Sequence, residues 1–187
     1  TSAEGIEVFL REREYVDVYC MFASEKLVTE IVSTLLDLPK SEQTGNKLRT
    51  LPPNGCYALD NDQLTGNVNS DNCKNLDYIP SPYTNHLLDE FLCQGMIPIL
   101  ETNRGCPYSC SFCNWGAAEL NKLKRFSLER VFMDLKYVAH HKSEFSEIYF
   151  CDANFGILKR DVEIAKYVRN LYEQTRSFSS VTVYWSK

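Results

Sequence analysis

The 187-residue sequence contains no run approaching the roughly 18–20 consecutive apolar residues that a membrane-spanning helix needs. Its first residues, Thr1-Ser2-Ala3-Glu4-Gly5-Ile6-Glu7, have neither the basic start nor the apolar stretch of a secretory signal. Positive charge is not in excess. The 20 Lys and Arg face 25 Asp and Glu, and the net charge of −5 argues against a broad cationic nucleic-acid surface. No internal repeat or low-complexity tract is present. What remains is globular composition, with 44% hydrophobic, 24% charged and 12% aromatic residues, enough for one ordinary domain or two small or incomplete ones. These absences predict a cytoplasmic protein with neither a membrane nor nucleic acid among its partners.

Cysteine is abundant, at eight positions: 20, 56, 73, 93, 106, 110, 113 and 151. An even count invites a disulfide framework, but such frameworks suit small secreted domains with poor cores. This chain has apolar helices and strands enough for a core, and three of its cysteines crowd into eight residues. Metal or redox chemistry in a reducing compartment is the better expectation.

The pattern from 16 to 37 predicts a buried strand, Val16 to Phe22, then a helix over 25–37 capped by Ser24, with Leu27, Ile31 and Leu35 on one stripe beside Val28, Val32 and Leu36. Residues 38–83 lose apolar periodicity and read as a connection, with Asn54-Gly55 offering a hairpin turn. A short helix is expected at 85–94, with Leu87, Leu88, Phe91 and Leu92 inward and Gly95 ending it. Beyond it come a strand at Met96–Glu101, a cysteine loop at 103–116 and a helix at 128–141 capped by Ser127. A strand at 148–151, a loop at 152–158, a helix at 161–175 and a strand at 181–185 complete the series. Alternating strands and helices with short loops argue for parallel strands. The three-stranded sheet they build needs further neighbours.

The informative stretch is Glu101-Thr102-Asn103-Arg104-Gly105-Cys106-Pro107-Tyr108-Ser109-Cys110-Ser111-Phe112-Cys113-Asn114-Trp115-Gly116. Its core is C-x3-C-x2-C, just past the C-terminal end of a predicted strand, where α/β folds place their sites. Three thiolates this close can share a soft metal centre. Structural zinc usually takes four ligands in separated pairs, and iron–sulfur clusters usually take four thiolates. Three cysteines therefore suggest a cluster with one iron open to another ligand. The alternative is a non-enzymatic zinc or iron–sulfur module whose fourth ligand is Cys93 or Cys151.

This loop, with an aromatic residue just before the third cysteine, resembles the radical S-adenosylmethionine (SAM) superfamily. The resemblance implies that Cys106, Cys110 and Cys113 hold a 4Fe–4S cluster, that SAM chelates the fourth iron, and that one electron cleaves SAM to methionine and a 5′-deoxyadenosyl radical. It sets Phe112 beside the adenine. Ile79-Pro80-Ser81-Pro82-Tyr83, a short helix and then Glu101–Tyr108 resemble more narrowly the subfamily with an N-terminal cobalamin-binding domain. The implied fold is α/β. Residues 1–75 would be the C-terminal part of a Rossmann-like cobalamin-type domain plus linker, and 76–187 the first two and a half β/α units of a radical SAM barrel. Implied with it are cobalamin in the full-length protein, a methyl-transfer or related radical reaction, a small-molecule or peptide substrate, and an electron donor such as a flavodoxin or ferredoxin. The chain departs from the subfamily at Phe22-Ala23-Ser24-Glu25, where a Gly-Glu-Gly-Glu-like turn is common, and it has no Asp-x-His-x-x-Gly cobalamin-ligand motif.

Radical SAM barrels often contact the SAM amino group through Gly-Gly-Glu after the second strand, where this chain has Asp152-Ala153-Asn154. Asp152 or Asn154 is the expected acceptor for that ammonium, against the plainer reading of an Asx turn. Other residues point to structure. His140 and His141 complement a helix C-terminus, His86 starts a helix, and Lys122, Lys124 and Arg125 form a solvated face. Arg104 is balanced between tuning the cluster and pairing structurally. Cys20, Cys56, Cys73 and Cys93 read as ordinary small residues, Cys151 as a core residue, and Trp115 as shielding or packing.

Overall fold

A computed structural model of the chain describes residues 2–21, 25–67, 75–108, 110–113, 122–141 and 145–185. Ser24, Cys73 and Trp115 fall outside these residues. The chain separates into two compact units, Thr1–Asn72 and Cys73–Lys187. Among the described residues, no helix is long and apolar enough to cross a membrane.

The first unit opens with a helix absent from the sequence expectations, α1 (Ala3–Arg11). Ser2 caps it by accepting from the Gly5 amide at 3.2 Å, and Ile6 and Leu10 are its buried residues. The strand expected over 16–22 contracts to β1 (Tyr19–Cys20), followed by α2 (Glu25–Leu36), a 3₁₀ turn at Lys40–Glu42 and α3 (Gly45–Thr50). β2 (Cys56–Asp60) and β3 (Gln63–Gly66) arise inside the stretch expected to be a connection, and the sheet order β1-β2-β3 is antiparallel throughout. The hairpin turns at Asn61-Asp62 rather than Asn54-Gly55. Both central residues take positive φ, 47° and 64°, the geometry that matches strand twist and that Asn and Asp tolerate. Arg11 fastens the turn, donating to Asp62 Oδ1 at 3.1 Å and to the Asp62 carbonyl at 2.6 Å. Ile6, Leu10 and Met21 form the core with Phe9, Val16, Tyr19, Tyr57, Leu59 and Leu64. The apolar stripe of α2 has the predicted spacing, but no residue of this helix is buried.

In the second unit α4 is shorter than expected, Asp89–Cys93, because His86 adopts a left-handed conformation (φ 61°) and interrupts the helix before it. Leu92 is buried and Leu88 half-buried, whereas Leu87 and Phe91, expected inward, are exposed. The strand expected over 96–101 reduces to β4 (Ile99–Leu100). Next come a two-stranded antiparallel ladder, β5 (Asn103–Arg104) with β6 (Lys124–Arg125), and the helix α5 (Leu128–His140). Ser127 caps α5 by accepting from the Arg130 amide. β7 (Glu147–Phe155), α6 (Asp161–Thr175) and β8 (Ser180–Trp185) complete the unit. The sheet β4-β7-β8 is parallel, as the alternation predicts.

One face of this sheet carries Leu100, Ile148, Phe150 and Val183. It packs with Val131, Leu135 and Val138 of α5 and with Ile164, Val168 and Leu171 of α6 in a single apolar cluster. Alternation along the strands sends Ile99, Tyr149 and Tyr184 to the opposite face. There Ile99 sits in register with Tyr149, and the two tyrosine rings meet edge to face at 6.0 Å. Cys151, expected in the core, is exposed.

Candidate functional site

β7 runs four residues further than its sequence pattern indicates, so Asp152, Ala153 and Asn154 lie in the strand, not in a loop beyond it. The register with β8 is irregular between Phe150 and Phe155, and the strand's alternation buries Asp152 and Asn154 as it buries Ile148 and Phe150. Each reaches the segment that opens the cysteine loop.

Asp152 clamps that segment. Its Oδ1 accepts from the backbone N–H of Thr102 at 2.6 Å and of Asn103 at 3.2 Å. Its Oδ2 accepts from the Thr102 hydroxyl and from Asn103 Nδ2, the latter at 2.8 Å. Thr102, Asn103 and Asp152 are no more than 1% exposed. Burial pushes the Asp152 carboxyl above its ordinary value. The hydrogen bonds from Thr102 and Asn103 oppose that shift, and the nearby Asp161 adds to it. Four donors fill the acceptor capacity of a carboxylate. Asp152 therefore holds the chain in place.

The far end of the loop is tied to the same place. In the β5–β6 ladder Asn103 pairs with Arg125 and Arg104 with Lys124, so residues 105–123 leave and return at one point. The Phe126 amide donates to the Thr102 carbonyl at 3.1 Å. Arg160 bridges both flanks, donating through Nη1 to the Phe126 carbonyl at 2.5 Å and through Nη2 to the Thr102 carbonyl at 2.9 Å. Neighbouring Asp161 organises the turn before α6, its Oδ2 accepting from the amides of Gly156 and Leu158 at 2.8 and 3.0 Å. Gly105 takes φ 104° as the chain enters the loop, a conformation that favours glycine. Arg104 forms a two-pronged pair with Glu101 at 2.9 and 2.7 Å, which gives it the structural partner weighed for it.

Of the three loop cysteines, Cys106 is buried, and its sulfur receives a hydrogen bond from Asn154 Nδ2 at 3.1 Å. Cys110 and Cys113 are half-buried, and the Cys113 amide donates to the Cys110 carbonyl at 3.1 Å, closing a tight turn. The Phe112 ring in that turn is 82% exposed. Among the described residues, no group of three or more His, Cys, Asp or Glu is gathered to hold a metal ion. The fit to a cluster therefore rests on the donors: three soft thiols on one pinned loop, and an amide N–H already directed at one sulfur.

Thr102, Asn103 and Arg160 are the site residues that the sequence reading missed. Thr102 and Asn103 stand beside the motif but carry no pattern of their own, and Arg160 acts across 34 and 58 residues. The remaining cysteines are elsewhere. Cys20 and Cys56 face one another across β1 and β2, with sulfurs 3.6 Å apart. Burial, and next the hydrogen bond with Cys20, push Cys56 up to about 12. Cys151 Sγ donates to the Leu100 carbonyl at 3.3 Å. His86 and His141 both approach Asp89, at 3.2 and 3.8 Å, and His140 Nδ1 lies 2.9 Å from the Lys136 carbonyl.

No protein-family model matches the chain. The chain is 45% identical over 92 residues to the cobalamin-dependent radical SAM methyltransferase TokK of Streptomyces tokunonensis, covering 46% of this chain and 13% of that protein. It is 39% identical over 114 residues to the 2-(S-pantetheinyl)-carbapenam-3-carboxylate methyltransferase of Streptantibioticus cattleyicolor, covering 58% of this chain and 16% of that protein. An uncharacterized methyltransferase of Pyrococcus horikoshii is 32% identical over 89 residues, 46% of this chain and 19% of that protein. The chain thus spans less than a fifth of the length of these curated relatives. Among solved structures, the cobalamin- and SAM-bound radical enzyme OxsB superposes with a TM-score of 0.58 at 21% identity, over 92% of this chain and 23% of that one, a likeness of fold.

Proposed function

We propose that this chain, a relative of cobalamin-dependent radical SAM methyltransferases over part of their length, joins the end of a cobalamin-type domain to the opening of a radical SAM barrel, and that Cys106, Cys110 and Cys113 bind a 4Fe–4S cluster. One observation carries the reading: the three-cysteine loop follows the C-terminal end of a parallel strand, its start is held by Asp152 and Asn154 of the next strand, and Arg160, at the start of α6, bonds both of its flanks. A parallel sheet with helices on one face and Ile99, Tyr149 and Tyr184 on the other supports a barrel opening, the tyrosine face being its interior.

Cys106, Cys110 and Cys113 would hold the cluster, which would supply the electron for reductive cleavage of SAM. The chain's part is to hold three thiolates in a fixed loop. Phe112, at the loop surface, flanks the adenine, and the carbonyl oxygen of Asn154 makes the ammonium contact. For the whole protein the reading extends to cobalamin-dependent methyl transfer in the cytoplasm, with electrons from a flavodoxin or ferredoxin. The name of the carbapenam carboxylate methyltransferase supports a small-molecule substrate over a peptide.

Low-temperature EPR of anaerobically reconstituted, reduced protein tests this. A 4Fe–4S signal that changes on adding SAM, and is lost in Cys110→Ala, is expected. A folded protein that takes up zinc and no iron would overturn it.

A further inference from the structure

We infer that Asn154 sets the reduction potential of the centre held by the cysteine loop, by donating its side-chain N–H to the sulfur of Cys106; the inference rests on the cluster reading above. Asn154 lies two residues beyond the Asp152 clamp on β7, and its Nδ2 is 3.1 Å from Cys106 Sγ. Both residues are buried, so water is a poor substitute partner for either group.

Reduction adds one negative charge to a cluster, and part of that charge spreads onto the ligating sulfurs. An N–H aimed at one of them favours the reduced form more than the oxidised form, which raises the potential. The low dielectric of a buried position strengthens the effect. The donor also cannot easily drift. The Asp152 bonds fix the start of the loop at Thr102 and Asn103, while Asn154 reaches Cys106 from the same strand. This effect on the potential runs through Cys106 and the amide Nδ2, apart from the SAM contact proposed for the amide oxygen, and is read in the absence of SAM.

A purely structural asparagine would alter how much cluster the protein holds but not the potential of what it holds. The test is an EPR-monitored potentiometric titration of the reconstituted protein, as wild type, Asn154→Leu and Asn154→Asp. Leucine has the same branched heavy-atom skeleton, though bulkier, and no donor, and aspartate places an acceptor beside the sulfur. Asn154→Leu is expected to shift the ratio of reduced to oxidised cluster at fixed poise about tenfold toward oxidised, about 59 mV for a one-electron couple. Asn154→Asp shifts it further in the same direction, and its midpoint decides the matter should the leucine variant not load. A loaded variant with the wild-type midpoint overturns the inference. Loss of loading in both variants assigns Asn154 a structural role and overturns it too. Wild-type protein that takes up no cluster overturns the underlying reading instead, a failure visible before either variant is measured.

Discussion

Replacing Asp152 tests the clamp that holds the cysteine loop. In Asp152→Ala the amides of Thr102 and Asn103 keep their buried positions but lose their acceptor. Each orphaned buried N–H costs about 1–3 kcal/mol. Part of that is offset, because burial already disfavours the native carboxylate. A net loss of about 2–4 kcal/mol in the second unit follows, or about 30- to 1,000-fold in an opening equilibrium. Asp152→Asn keeps an oxygen for the two amides and turns an NH2 toward Asn103 Nδ2, donor against donor, at a cost nearer 1 kcal/mol. Amide hydrogen exchange resolved at Thr102 and Asn103 reads both directly. Exchange should accelerate strongly in the alanine variant and weakly in the asparagine variant. Wild-type protection of both amides in Asp152→Ala would refute the reasoning. The pH dependence has a defined sign. With the folded carboxyl raised above its ordinary value of 3.8, the native state binds more protons than the unfolded chain between the two values. Stability therefore falls as pH rises through that window, and the gap between wild type and Asp152→Asn narrows above pH 3.8.

Two further substitutions probe one unit each. A Cβ on Gly66 would lie 2.1 Å from the Cys56 carbonyl oxygen, and φ there is 116°. Gly66→Ala should therefore destabilise the β2–β3 hairpin by more than about 1 kcal/mol, read as faster exchange of its ladder amides with the second unit unchanged. Ser127→Ala removes the acceptor of the Arg130 amide at the start of α5. It should cost about 1 kcal/mol, lowering the urea midpoint of the second unit, and Ser127→Asp should restore it.

Local chemistry made much of this protein legible in its sequence. The helices α5 and α6 follow from apolar residues at helical spacing, and the Ser127 cap from a side chain three residues from its donor. The place of the cysteine loop follows from the strand before it. The sequence also determined that β4, β7 and β8 are parallel, since a helix-length connection permits little else. Tertiary structure alone decided the rest. The length of β7, the clamp by Asp152 and the bond from Asn154 to Cys106 join residues 48 to 50 positions apart. Asp and Asn are poor strand formers, so Asp152-Ala153-Asn154 looks like a turn until its buried partners are known. The turn of the first unit's antiparallel hairpin was misplaced for a related reason. Asn61-Asp62 lacks the glycine that marks such turns most strongly, and its left-handed conformation is secured by Arg11 from another element. Periodicity and caps report bonds between near neighbours, whereas a buried polar contact across fifty residues leaves its trace only where the chain has folded back on itself.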